Sequence, residues 1–210
     1  MSGTGPREEK KQKTRQALLE AALKLLEGEQ AFAGLSLREV TREAGIVPTA
    51  FYRHFRDMDE LGLALVDDSF HALRQMMRAA RAEPLPAEQL VRRSVATFIS
   101  HVRANRQHFQ FVVRERAGGR SAIRNAIRTE VRLFSSELAT DLGRFPALNR
   151  WRTEDLQMMA GLIVGTMVNA VLDILDLPAA RPEDEQELAL LLEKQLRLVL
   201  LGATQWKGQG

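Results

Sequence analysis

Thr49, Tyr52, Arg53, His54 and Arg56 fall within eight consecutive positions of the 210-residue chain. Two hydroxyls, two guanidiniums and an imidazole together make a dense set of hydrogen-bond donors. Phosphate oxygens and the edges of nucleic-acid bases are the acceptors that such a set suits. Taken singly, Tyr52 and His54 read as packing residues and Arg53 as a solvated charge. Together they read differently, because Ala50, Phe51 and Phe55 are interleaved with them. Those apolar residues can dock a short helix and leave a polar face free.

The flanking residues say how that helix is held. Val47 precedes Pro48, which disfavours helical geometry at Val47, and Pro48 suits the first turn of a new helix. A helix over Pro48 to Phe55 is therefore expected, its N-terminal N–H groups adding to the phosphate-binding character. Upstream, Ser36 and Glu39 have the spacing of a capping box, and Gly45 is placed to end that second helix. Two short helices joined by a turn at Gly45 make a helix-turn-helix. A first helix is expected from Thr14 to Glu29, with Leu18, Leu19, Ala22, Leu23, Leu25 and Leu26 as its apolar positions. Asp57 and Glu60 should open a long fourth helix reaching Arg81, buried along Leu61, Leu65, Phe70, Leu73 and Met77.

Further helices are expected over 87–104, 106–117, 120–143, 153–177 and 183–206. They are punctuated by Glu83–Pro86, Asn105, Gly118–Gly119, Pro146 and Pro178–Pro182. The fold class is thus all-α: a three-helix N-terminal helix-turn-helix domain joined to an all-helical ligand-binding and dimerisation domain, about nine helices in all. The expected divisions are a basic arm over 1–13, the helix-turn-helix domain over 14–60 and the second domain over 61–210.

Charge placement agrees with a polyanionic partner. The formal net charge is +3, and residues 1–56 carry all of it, with 10 Lys/Arg against 7 Asp/Glu. There is no cysteine, so neither a disulfide framework nor a thiolate metal site is available. The four histidines form no metal-binding motif, and no nucleophile elbow or phosphate loop is present. Neither an enzyme nor a cofactor is expected. The basic, polar start has no apolar h-region, and the run Met158–Leu172 is shorter than the roughly 20 residues that span a bilayer. A cytoplasmic protein without a membrane partner is the expectation.

The stretch "SLREVTREAGIVPTAFYRHFRDMDELGLAL" resembles the DNA-binding segment of the TetR family of transcriptional regulators. The likeness covers about residues 14–65. It implies a homodimer, mostly acting as a repressor, that binds a near-palindromic operator in double-stranded DNA. By matching positions, Tyr52 and His54 would contact phosphates, Pro48, Thr49 and Arg53 would face bases, and Ser36 would cap the second helix beside the backbone. Val47 stands where a small capping residue is common, and Met58 where a phosphate-reaching lysine is common. "TRQALLEAA", the segment around "FYRHFRD" and "RERAG" further resemble the FabR and DesT group, regulators of unsaturated fatty-acid synthesis. That likeness implies a response to long-chain acyl-CoA or a related acyl thioester.

Read on its own residues, the second half offers Phe98, Val102, Phe109, Val112, Phe134, Leu138, Met159 and Ile163 as an apolar lining, or as an ordinary helical core. Arginines, Arg116 and Arg120 among them, are dense where the mouth of such a cavity is expected. Gly118, Gly119, Arg120 and Ser121 offer a turn for a phosphate. The last two helices are apolar over wide faces, including Leu188, Leu191, Leu192 and Leu196, and should pair across a two-fold axis as a four-helix bundle. The rival readings are a TetR-like repressor responding to a different hydrophobic effector such as a drug, a non-specific DNA-binding protein and an enzyme.

Overall fold

Ser36 and Glu39 close their reciprocal box as their spacing requires. The Glu39 N–H donates to Ser36 Oγ at 3.3 Å, and the Ser36 N–H and hydroxyl donate to the Glu39 carboxylate at 2.9 and 2.7 Å. This fixes the start of helix α2, Leu37–Glu43. Its end is a Schellman motif. Gly45 adopts φ +68°, its N–H donates to Arg42 O at 3.1 Å, and the Ile46 N–H donates to Thr41 O at 2.9 Å. Asp57 caps α4, Met58–Ala82, by accepting from the Glu60 N–H at 2.8 Å. Glu60 returns to the Arg56 N–H at 2.7 Å, so this box is displaced by one residue from the expected one.

The computed structural model describes residues 6–28, 30–82, 85–178 and 181–206. Among them the chain is all-helical, with nine α-helices and no strand. Besides α2 and α4, these are α1 (Pro6–Leu25), α3 (Pro48–Phe51), α5 (Ala87–Ala104), α6 (Arg106–Gly118), α7 (Ser121–Leu142), α8 (Thr153–Asp176) and α9 (Pro182–Gln205), with a 3₁₀ turn over Phe32–Gly34. The later helices begin and end within one residue of the ranges expected for them.

Two expectations need correction. Residues 6–13 are not an arm but the first turns of α1, and the helix ends at Leu25 rather than Glu29, which itself lies outside the described residues. The third helix is a single turn, Pro48–Phe51. Tyr52, Arg53 and His54 continue from it as turns, with the His54 and Phe55 N–H groups donating to Phe51 O at 2.8 and 3.0 Å.

The compact units do not follow the linear division expected. The first comprises residues 1–69 and 107–127, and the second 70–106 and 128–210. The core of the first holds Leu18, Leu19, Phe32, Val40, Phe51 and Leu61, each fully buried and contributing about 1.5–3 kcal/mol. Ile123, from the first turn of α7, is equally buried there. Gly62 explains how closely these elements approach, because a Cβ at that position would lie 2.6 Å from Ile123 Cδ1 and 2.9 Å from the Phe32 ring. Phe32 also meets Phe111 of α6 edge to face, ring centres 5.6 Å apart.

In the second unit α5, α8 and α9 pack on one another. The core runs through Val95, Ile99, Ile174, Leu192 and Leu196, with a cluster of Ala139, Leu142, Leu148, Met159 and Ala160. By length and apolar composition α8 would pass for a membrane span. Here Met159, Ala160, Met167, Ala170, Val171, Ile174 and Leu175 of α8 are buried within protein.

Candidate functional site

The single turn of α3 divides its residues by character. Phe51 and Phe55 are buried with their rings 5.6 Å apart, anchoring the turn. Thr49, Arg53 and Tyr52 are exposed, the last by 64%. Val47 and Pro48 are exposed beside them. Arg53 makes no ion pair among the described residues, whereas Arg56 is committed to Glu60, Nε to carboxylate 3.0 Å. His54 is half-buried, and its Nδ1 has no hydrogen-bond partner among the described residues. Burial, reinforced by the positive charges of Lys11, Arg15 and Arg53, holds its imidazole below the ordinary histidine range.

Lys11 and Arg15 were not singled out in the sequence, yet they belong to this surface. The Arg15 guanidinium lies over the Phe55 ring at 5.3 Å. The signal was available: Lys11, Arg15, Leu18, Leu19 and Ala22 follow one another at helical spacing. It was masked by the polar run before Thr14. Ser36 is exposed, with its hydroxyl engaged in the capping box of α2.

In the second unit a cavity of about 320 Å³ lies among α4, α5, α7, α8 and α9, within the size range of small-molecule sites. Phe98, Phe134, Leu138 and Ile163 line it, as expected. Phe70, Leu73 and Met77 of α4 also line it. Four expected lining residues do not. Met159 belongs to the adjacent core cluster, Val102 is fully buried, and Phe109 and Val112 are core residues of the first unit. An apolar stripe does not reveal whether the space it faces is filled by protein.

Arg116 and Arg120 do not line the cavity either. Both belong to the first unit, where Arg116 is exposed and Arg120 pairs with Asp59 at 2.5 Å. Other arginines expected at the mouth are also committed to protein: Arg103 to Glu185, Arg114 to the Leu26 carbonyl at 2.9 Å, and Arg124 to the Gly119 carbonyl. Arg74 adjoins the cavity wall, its guanidinium over the Phe134 ring at 5.9 Å. It pairs with Glu130 and approaches Glu137 to 3.8 Å.

The last two helices leave much apolar surface uncovered: Leu162 and Leu172 on α8, and Leu190, Leu191, Leu198 and Leu201 on α9 are each more than half exposed. Leu192 and Leu196, expected on that surface, instead face the core at 2% and 5% exposure.

A helix-turn-helix unit with an exposed polar and cationic turn, and a helical unit enclosing an apolar cavity, define the class of ligand-responsive regulators. Residues 18–65 match the profile of bacterial regulatory proteins of the tetR family, and residues 86–199 match the tetracyclin repressor-like C-terminal domain. The chain belongs to the TetR family and is a transcriptional regulator of that family. Three solved structures illustrate the likeness. The fatty acid degradation regulator FadR from Bacillus halodurans aligns over 95% of this chain and 97% of its own, at TM-score 0.68 and 15% identity. FadR from Bacillus subtilis, in complex with stearoyl-CoA, aligns over 88% and 96%, at TM-score 0.66 and 13% identity. A transcriptional regulator from Pseudomonas aeruginosa PAO1 aligns over 91% and 92%, at TM-score 0.72 and 17% identity. At such identities the likeness is one of fold.

Proposed function

We propose that this regulator binds a near-palindromic operator as a homodimer, represses genes of fatty-acid desaturation or unsaturated fatty-acid synthesis, and responds to a long-chain acyl thioester. The observation that carries the DNA-binding part is the exposed turn after Val47. There Thr49 and Arg53 project as base readers, Tyr52 and His54 as phosphate contacts, and Lys11 and Arg15 add sequence-independent attraction. A short unpaired cationic surface held by buried phenylalanines suits recognition in a groove.

The effector part is supported by the cavity, whose lining is almost wholly apolar, and by the likeness in fold to a regulator that holds stearoyl-CoA. The sequence resemblance to the FabR and DesT group favours unsaturated-lipid genes among the possible targets. A dimer through α8 and α9 would cover their exposed leucines, and at Gly161 and Gly165 a Cβ would meet open space, leaving room for a neighbouring helix. The decisive experiment is selection of bound sequences from a random DNA pool, followed by titration with saturated and unsaturated acyl-CoA of equal length. An enriched palindrome whose binding responds to either ligand supports the proposal. Recovery of no enriched sequence overturns its DNA-reading part, and indifference to both ligands overturns its effector part.

A further inference from the structure

Five residues of α5 that line the cavity, Ala87, Leu90, Val91, Ser94 and Phe98, share one face of that helix, and Ser94 differs from the rest. It is the only residue with a polar side chain among the described residues of the lining, and it is half-buried. A serine inside a helix can return its hydroxyl hydrogen to the carbonyl four residues back. Ser69, Ser135, Thr140 and Thr166 do so here, at 2.7 to 3.1 Å. Ser94 makes no such bond, nor any other side-chain hydrogen bond among the described residues. Its donor therefore has no protein partner among the described residues and is free to meet an acceptor that enters the apolar space.

The lining contains no charged side chain among the described residues. Arg74, whose guanidinium lies over the ring of the lining residue Phe134, is already answered by Glu130. No side chain of the described lining therefore carries a charge that could neutralise an ionised head group.

We infer that the cavity selects an uncharged aliphatic chain carrying one acceptor, that Ser94 donates its hydroxyl hydrogen to that acceptor, and that the matching free carboxylate is refused. This rests on the acyl reading of the cavity given above. In a thioester the carbonyl is neutral and the charged part of the carrier is remote, so chain and carbonyl enter together. In a free acid the charge sits on the same carbon. The carboxylate must stay in water, and each methylene drawn back with it weakens binding about fourfold.

The test is calorimetric titration of the full-length protein with dodecanoyl-pantetheine, its S-dodecyl thioether and dodecanoate. Wild type and Ser94→Ala are compared. The thioether keeps the chain and lacks the carbonyl, so the hydrogen bond is probed without touching the protein. In wild type the thioester should bind about two- to tenfold tighter than the thioether, the range of one neutral hydrogen bond. In Ser94→Ala that preference should vanish, with the thioether affinity unchanged. Dodecanoate should bind at least about tenfold more weakly than the thioester, as withdrawal of two methylenes requires. Equal affinities for thioester and thioether in wild type, or a carboxylate bound as tightly as the thioester, overturn the inference while leaving the cavity an acyl site. If none of the three binds, the acyl reading falls and this inference falls with it.

Discussion

The Glu115 carboxylate of α6 accepts a hydrogen bond from the backbone N–H of Phe32, 83 positions earlier, at 3.2 Å, with Glu115 only 2% exposed. The 3₁₀ turn that follows α1 is thereby tied to α6 within one compact unit. Glu115→Ala leaves a buried N–H unpaired and opens a cavity, so it should lower stability by about 2–4 kcal/mol. Glu115→Gln retains an acceptor and should lose less than half as much. Urea denaturation of the two variants checks the order.

Gly62→Ala sets two effects against each other. Alanine gains about 1 kcal/mol in helix propensity. Its methyl group would collide with Ile123 and with the fully buried Phe32 ring, and overpacking of this kind is worth about 1–3 kcal/mol. The expected sign is therefore destabilising, read as a lower thermal midpoint. A midpoint raised above wild type would show that the ring yields easily.

For operator recognition, Arg53→Ala and Thr49→Ala should each lose about 1–3 kcal/mol of discrimination between operator and mismatched DNA. Lys11→Ala, Arg15→Ala and Tyr52→Phe should weaken all sequences alike, and the two cation deletions should each lower the salt slope by about one. Gel shifts at two salt concentrations separate the groups.

The proposed association surface is tested by neighbouring leucines. Leu191→Glu and Leu198→Glu alter exposed positions and should yield folded monomers. Leu192→Glu buries a charge in the protomer's own core and should unfold it. Light scattering alongside circular dichroism distinguishes the outcomes, and a dimeric Leu198→Glu protein would move the interface elsewhere.

His108 provides a pH dependence. Ser69 Oγ donates to the Leu65 carbonyl at 2.7 Å and lies 3.0 Å from His108 Nδ1, so the imidazole is the donor between them. Burial depresses the His108 pKa, opposed by Asp68. The unfolded chain thus binds the proton more tightly. Stability should be flat above about pH 6.5, the ordinary histidine value, and fall as the pH drops below it. His108→Gln should reduce that fall in denaturation midpoints. His54 shifts in the same direction and should account for part of what remains.

Punctuation made most of the fold legible. Ser36, Gly45, Pro48, Asp57, Asn105 and Pro182 act through local geometry, and helix ends followed them. The start of α1 was hidden because "REEKKQK" carries no apolar period, so its helix is visible only once Leu18 and Leu19 fix the register. The cavity was half legible. Phe98 and Phe134 could be named as apolar, but whether Phe109 faces space or protein depends on residues distant in sequence. Leu191 and Leu192 make the same point, since adjacent positions on α9 differ by 100° and only neighbouring helices decide which is covered.

The brevity of α3 has a consequence for divergence. Its exposed residues are carried by a turn whose shape is set by Phe51, Phe55 and the Gly45 corner; Tyr52 meets the Phe51 ring edge to face at 5.8 Å, whereas Thr49 and Arg53 are exposed and make no ring contact with that pair. Exchanges at such surface positions shift stability by only about 0.5 kcal/mol. If Thr49 and Arg53 read bases as proposed, descendants of this chain can change the sequence they address without first acquiring stabilising substitutions, whereas the buried pair beneath the turn tolerates far less change.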